Sequence, residues 1–213
     1  MLPLLPRPKT DIESLFLAAA PKKIYETLYT ELSQAYAEEF RNVMNTKAEK
    51  AALTLLPHER RARINTNLPA LMHALGIKAT VETFPNTTDT FVLIHLSDYV
   101  KLIVCYVSSK KRALRYALAR ELLSQEFNDP HLLLAAPTAL TLKPNTAFGV
   151  LVHSPQPKDV ATFMSGDIIF PASNGQLLGS LSLEDEMELA QLEEAQKAKE
   201  VTRTVEIKIK KGS

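Results

Sequence analysis

Between Ile77 and Phe127 the hydrophobic period of the chain changes from two to nearly four, and this stretch limits the fold more than any other. Ile77, Ala79, Val81 and Thr83 alternate with Lys78, Thr80 and Glu82, the period of a strand. Pro85-Asn86-Thr87-Thr88-Asp89 is turn chemistry. Two apolar runs follow, Phe91–Leu96 and Leu102–Val107, parted by a short turn at Ser97-Asp98. Runs apolar on both faces belong inside a sheet, so these two are expected to pair as a central hairpin. From Lys110 to Phe127 the spacing becomes helical, with Ser108 or Ser109 as cap and Pro130 as stop. Leu114, Leu118 and Leu122 form one row and Tyr116, Leu123 and Phe127 another, which predicts contact on two sides.

Upstream the pattern is helical. Residues 1–9 carry three prolines and predict an extended arm. Thr10-Asp11-Ile12-Glu13 is a capping box. A second helix opens near Pro21, with Ile24, Leu28, Leu32, Ala35 and Tyr36 on one stripe, and ends at Met44 or continues to Leu55. Pro57 is expected to start a further element. Thr66 or Asn67 with Pro69 predicts a fresh helix start, closed by Gly76.

Downstream, strands are expected at Leu132–Ala136, around Leu140–Leu142, at Phe148–Val152, at Asp167–Phe170 and at Gln176–Leu181, with a helical turn over Asp159–Met164. Asn174-Gly175 between the last two strands is a strong hairpin signal. Ser182 caps a charged helix. The tail alternates Val205, Ile207 and Ile209 with Glu206, Lys208 and Lys210, which predicts a half-exposed strand.

The fold class expected is α+β: a helical N-terminal third, a mixed sheet of about six or seven strands around a β-β-β-α unit, and a charged C-terminal helix and strand. The arm 1–9 precedes one globular domain over 10–181, helical over 10–76 and sheet-containing over 77–181. Residues 182–213 form an appendage.

The charge pattern carries the one site expectation. Lys110, Lys111, Arg112 and Arg115 crowd the start of a helix, where the macrodipole is already positive and each cation costs about 0.3–1 kcal/mol at low salt. A solvated basic end, an internal acidic partner or a bound anion would account for it. Arg60, Arg61 and Arg63 form a second basic cluster after His58-Glu59. Net charge is only +1, so a nucleic-acid site would have to be a local patch. Tyr106 or Tyr116 stands near for stacking on bases.

Common chemistries are not signalled. The single Cys105 lies in an apolar strand and reads as an inert core thiol with nothing nearby to lower its pKa. His58, His73, His95, His131 and His153 lack metal-ligand spacing, and His95 reads as a core histidine. Phosphate-binding glycine loops, hydrolase elbows and dinucleotide fingerprints are absent. No cofactor and no metal are expected. No run is long and apolar enough to cross a bilayer, the start lacks the order of a signal peptide, and a cytoplasmic protein without a membrane partner is expected.

Helix, three strands, helix, strand over residues 58–136 resembles the core order of the PD-(D/E)XK nucleases. The resemblance implies an acid on the second strand, where Asp89 stands, with Glu59 or Glu82 as another. It also implies an acid-x-Lys on the third strand, but Leu102–Val107 contains neither acid nor lysine. The expectation is therefore a non-enzymatic binding protein using the two basic clusters on nucleic acid. The alternatives are an assembly subunit with a protein partner or a second copy of itself, and a degenerate nuclease.

Overall fold

The computed structural model describes residues 9–83, 90–107, 118–128, 146–156 and 158–211. The helices are α1 (Asp11–Ala19), α2 (Lys23–Thr46), α3 (Glu49–Ala74), α4 (Leu118–Phe127) and α5 (Leu183–Lys211). The strands are β1 (Lys78–Thr83), β2 (Thr90–His95), β3 (Val100–Tyr106), β4 (Ala147–Pro155), β5 (Phe163–Pro171) and β6 (Leu177–Ser182). Strand order in the sheet follows chain order, β1 to β6. All neighbours are antiparallel except β3 and β4, which run parallel across the segment that contains α4. The architecture is α+β, with a helical N-terminal part and a mixed six-stranded sheet.

The sheet is covered on both faces. One face carries Val92, Ile94, Leu102, Leu151 and Ile168 against Phe16 of α1, the stripes of α2 and α3, and Leu183 at the head of α5. The other carries Phe91, Ile103, Phe148, Val150 and Val152 against Leu123 and Phe127 of α4. Two-sided burial explains the near-continuous apolar runs of β2, β3 and β4. Val81 on the edge strand β1 is exposed.

Local signals hold where they are self-contained. Thr10 and Glu13 form the capping box, with Thr10 N donating to Glu13 Oε2 (2.8 Å) and Glu13 N to Thr10 Oγ1 (3.4 Å). Glu13 is fully buried, because its other oxygen accepts from Ser180 N at 2.6 Å and ties α1 to β6. A Cβ at Gly179 would stand 2.7 Å from that oxygen and 2.8 Å from Thr10 Oγ1, so the close approach requires glycine. Gly175 adopts φ 82° in the β5–β6 turn. Ser182 Oγ accepts from Asp185 N at 3.2 Å as the cap of α5.

Three expectations are corrected. α3 runs unbroken through Pro57 and Pro69. An interior proline costs about 3 kcal/mol or more, but Ala52, Leu56, Arg60, Ile64, Leu68 and Met72 are all buried, one residue in four. A four-residue repeat advances about 40° per step at 100° per residue. The buried row therefore turns from Val43 of α2 to the main core, and the packing of five apolar side chains outweighs the lost backbone bonds. The tail is helix to Lys211, not a strand. Residues 159–162 form a tight turn into β5 rather than a helical turn, with Asp159 accepting from Ala161 N and Thr162 Oγ1. The strands expected at Leu132–Ala136 and Leu140–Leu142, and the arm before Lys9, lie outside the described residues.

Candidate anion-binding site at the end of the parallel strands

The parallel pair ends at Tyr106 and His153, which are register partners. Cations approach this end from both sides of the sheet. Arg60 occupies a core position of α3 and is 1 % exposed. Its guanidinium stands 3.9 Å from the centroid of the Tyr36 ring, a cation–π contact. Its Nη2 donates to the Tyr36 carbonyl at 3.4 Å and to the Val160 carbonyl. Its Nε has no hydrogen-bond partner among the described residues. Burial pulls its pKa down, with Tyr36, Tyr106 and Glu39 acting against that. A guanidinium starts so high that it stays charged.

Around it the groups are neutral. The Tyr36 hydroxyl is 3.0 Å from His153 Nδ1. Burial raises the Tyr36 phenol pKa, against the pull of Arg60, so its proton is retained. His153 is pushed down to about 3, first by burial and then by the Arg60 charge. A neutral phenol both donates and accepts, so it pairs with Nδ1 in either tautomer of the imidazole. Tyr106 lies edge-on to His153, ring centroids 5.8 Å apart.

Arg120 of α4 reaches the same end from the opposite face. Its Nη1 is 3.6 Å from Cys105 Sγ. Its Nη2 is buried with no partner among the described residues. Burial pushes the Cys105 thiol pKa up, while Arg120 and Arg61 pull against it. The strand alone did not foretell these two cations beside the thiol. Arg61, half-buried on α3, thus belongs to the same neighbourhood.

The expected site residues divide accordingly. Arg60, Arg61 and the newly found Arg120 gather at the end of β3. Arg63 is engaged elsewhere: its Nε lies 3.3 Å from Glu31, and its Nη1 lies 2.5 Å from Glu38 and 3.4 Å from Glu39. Burial disfavours its charge, but these carboxylates more than offset that and raise its pKa. Lys110, Lys111, Arg112, Arg115 and Tyr116 lie outside the described residues. Arg120 carried little sequence signal, because an arginine between leucines on a helix reads as a solvated side chain.

A second polar cluster sits at the β2–β3 hairpin. His95 Nε2 is 3.1 Å from Thr80 Oγ1, and Lys101 Nζ is 2.9 Å from His95 Nδ1. An ammonium has only donors, so Nδ1 accepts and Nε2–H points at the threonine. This is the reverse of a nucleophile-activating arrangement, in which the imidazole accepts the hydroxyl proton. Burial, Lys101 and Lys78 all lower the His95 pKa. Both ring nitrogens of His95 thus have partners, but the ring is half-buried and not in the core where its strand context places it.

Helix α3, strands β1–β2–β3, helix α4 and strand β4 follow one another in that order among the described residues, and the expected strand Leu132–Ala136 lies outside them. Asp89 lies outside the described residues. Among the described residues no three His, Cys, Asp or Glu side chains are placed to share a metal ion, and no helix is long and apolar enough to cross a membrane. The chain matches no protein-family model, no curated protein sequence and no solved structure.

Proposed function

We propose that this is a non-enzymatic, cytoplasmic binding protein whose ligand is nucleic acid, held at the carboxyl end of the β3–β4 pair. The observation that carries the reading is Arg120 Nη2, a buried guanidinium nitrogen at that end with no hydrogen-bond partner among the described residues, beside Arg61 and the buried charge of Arg60. Buried donors without acceptors cost about 1–3 kcal/mol each, and a phosphate oxygen is the acceptor that matches a guanidinium best. Open ends of parallel strands are also where ligands commonly bind.

Connectivity supports the same place. Lys110 is three residues beyond Val107, whose amide donates to the His153 carbonyl at 2.9 Å, and three peptide units reach at most about 11 Å. In this reading Arg61, Arg120 and the 110–115 cluster contact phosphates. Arg60 supplies field from below the surface, Arg63 takes no part, and Tyr106 is the stacking candidate.

Fluorescence anisotropy with labelled single- and double-stranded DNA and RNA, at low and at physiological salt, tests the proposal. The quadruple variant Lys110→Glu, Lys111→Glu, Arg112→Glu, Arg115→Glu and the double variant Arg61→Glu, Arg120→Glu run beside the wild type. Salt-sensitive binding lost in both variants supports the reading. Absence of binding to all four ligands at low salt removes it. A magnesium-containing arm scored for cleavage addresses the nuclease alternative suggested by the order of elements.

A further inference from the structure

We infer that α5 is a self-association element, which pairs antiparallel with α5 of a second copy of this chain. The helix has 29 residues, about 43 Å at 1.5 Å per residue. Only its first part is seated. Leu183 is fully buried. Glu184 accepts from Gly166 N at 3.2 Å, and Glu186 and Glu193 pair with Lys9 and Lys22. Every residue from Gln191 to Lys199 is exposed, so the helix leaves the body of the protein there. Leu189 and Leu192 are 47 % and 59 % exposed on the stretch where it leaves. A helix stretch without a buried residue has little to hold it in water, since isolated helices are marginal without tertiary packing.

Charge complementarity selects the occupant. Every charged residue from Leu183 to Gln196 is acidic, whereas from Lys197 to Lys211 all are basic except Glu200 and Glu206. The order suits the helix's own macrodipole. It also makes each helix complementary to itself when turned end for end. An antiparallel copy lays its basic half along the acidic half of the first, and the two-fold axis repeats the contact. The same arrangement covers Leu189 and Leu192 with the second helix. A parallel pair would set acid against acid and base against base. The inference is independent of the anion site, because α5 packs on α2, β5 and β6 and supplies none of the residues of that site.

Sedimentation equilibrium of the full chain over about a hundredfold concentration range, at low and high salt, reads the association directly. A monomer–dimer equilibrium that weakens with salt is expected. Two charge reversals then separate pairing from folding. The first, Lys208→Glu, Lys210→Glu, Lys211→Glu, makes the helix largely acidic, leaving Lys197, Lys199 and Arg203. The second, Asp185→Lys, Glu188→Lys, Glu194→Lys, makes it largely basic. Each alone is expected to shift the dimer dissociation constant at least tenfold upward, and an equimolar mixture is expected to restore a dimer of one copy of each. A wild type that stays monomeric throughout, reversals that leave the dimer unchanged, or a mixture that stays monomeric would each overturn the inference.

Discussion

The Arg60 guanidinium rests 3.9 Å from the centre of the Tyr36 ring, and the hydroxyl of that ring is 3.0 Å from His153 Nδ1. One buried cation thereby ties α3 to α2 and, through Tyr36, to the end of β4. A buried charge without a carboxylate partner is costly. Its replacement by a neutral side chain of similar length therefore separates the cost of the charge from the value of the packing. Arg60→Met is expected to change stability by less than about 1.5 kcal/mol in either direction. Arg60→Ala is expected to lose about 2–4 kcal/mol, because it opens a cavity under Tyr36 and strands the Val160 carbonyl. Urea unfolding of the two variants measures the difference. Equal losses would mean that the charge itself stabilises the core.

His153 gives the protein an acid sensitivity of defined sign. Its folded pKa, about 3, lies below the ordinary 6.5. The unfolded chain therefore takes up a proton as pH falls through 6.5, and the folded chain does not until about pH 3. Stability from this group is complete above 6.5 and is lost between 6.5 and 3, at a slope of at most about 1.4 kcal/mol per pH unit. Glu184 acts with the opposite sign, because burial raises its pKa and folding then favours its protonated form. The difference between wild type and His153→Gln isolates the histidine. Unfolding free energies at pH 7 and pH 5 should differ more in the wild type than in the variant by about 1–2 kcal/mol.

Asn128 closes the end of α4 onto the sheet. Its side-chain amide accepts from Phe148 N at 2.6 Å and donates to the Phe148 and Pro171 carbonyls, both at 2.8 Å. It stands in for a neighbouring strand ahead of Val150, where the β4–β5 pairing begins. Asn128→Ala leaves the buried Phe148 amide unsatisfied and is expected to cost about 2–4 kcal/mol. Asn128→Asp keeps the acceptor and loses the donors. Thermal unfolding of both variants, with amide exchange at Phe148, shows whether the loss is local to this junction.

Gly179→Ala drives a methyl group into Glu13 and Thr10 at the α1 cap. Loss of about 1–3 kcal/mol is expected from overpacking and the disturbed buried carboxylate. Combining it with Glu13→Ala tests the mechanism: the two losses should be strongly non-additive if the clash acts through that carboxylate.

At the proposed nucleic-acid site, each phosphate contact removed should flatten the dependence of log K on log salt by about 0.7–0.9. Arg61→Gln and Arg120→Gln should each lower that slope by about one contact. Arg63→Gln should leave it unchanged, because Glu31, Glu38 and Glu39 already hold that side chain. An equal effect of all three would mean a diffuse field rather than a site.

What the sequence alone determined is local or strongly periodic. The capping box at Thr10, the Asn174-Gly175 turn, the β2–β3 hairpin and the two-sided burial of β2 and β3 all rest on interactions within a few residues or on an unbroken apolar pattern. What tertiary structure decided are the cases where two local answers compete. Pro57 and Pro69 read as helix starts, but the buried row of α3 outweighs them. Val205, Ile207 and Ile209 alternate like a strand, yet Val201, Val205 and Ile209 also recur at helical spacing. With α5 already nucleated at its cap, adding residues costs little, whereas starting an edge strand requires a partner. The charges were the least legible. Arg60, Arg61 and Arg63 are neighbours in sequence but successive residues on a helix point about 100° apart. One therefore enters the core, one turns toward the end of β3, and one meets the acids of α2. Only the packing of α3 against α2 and the sheet fixes which is which.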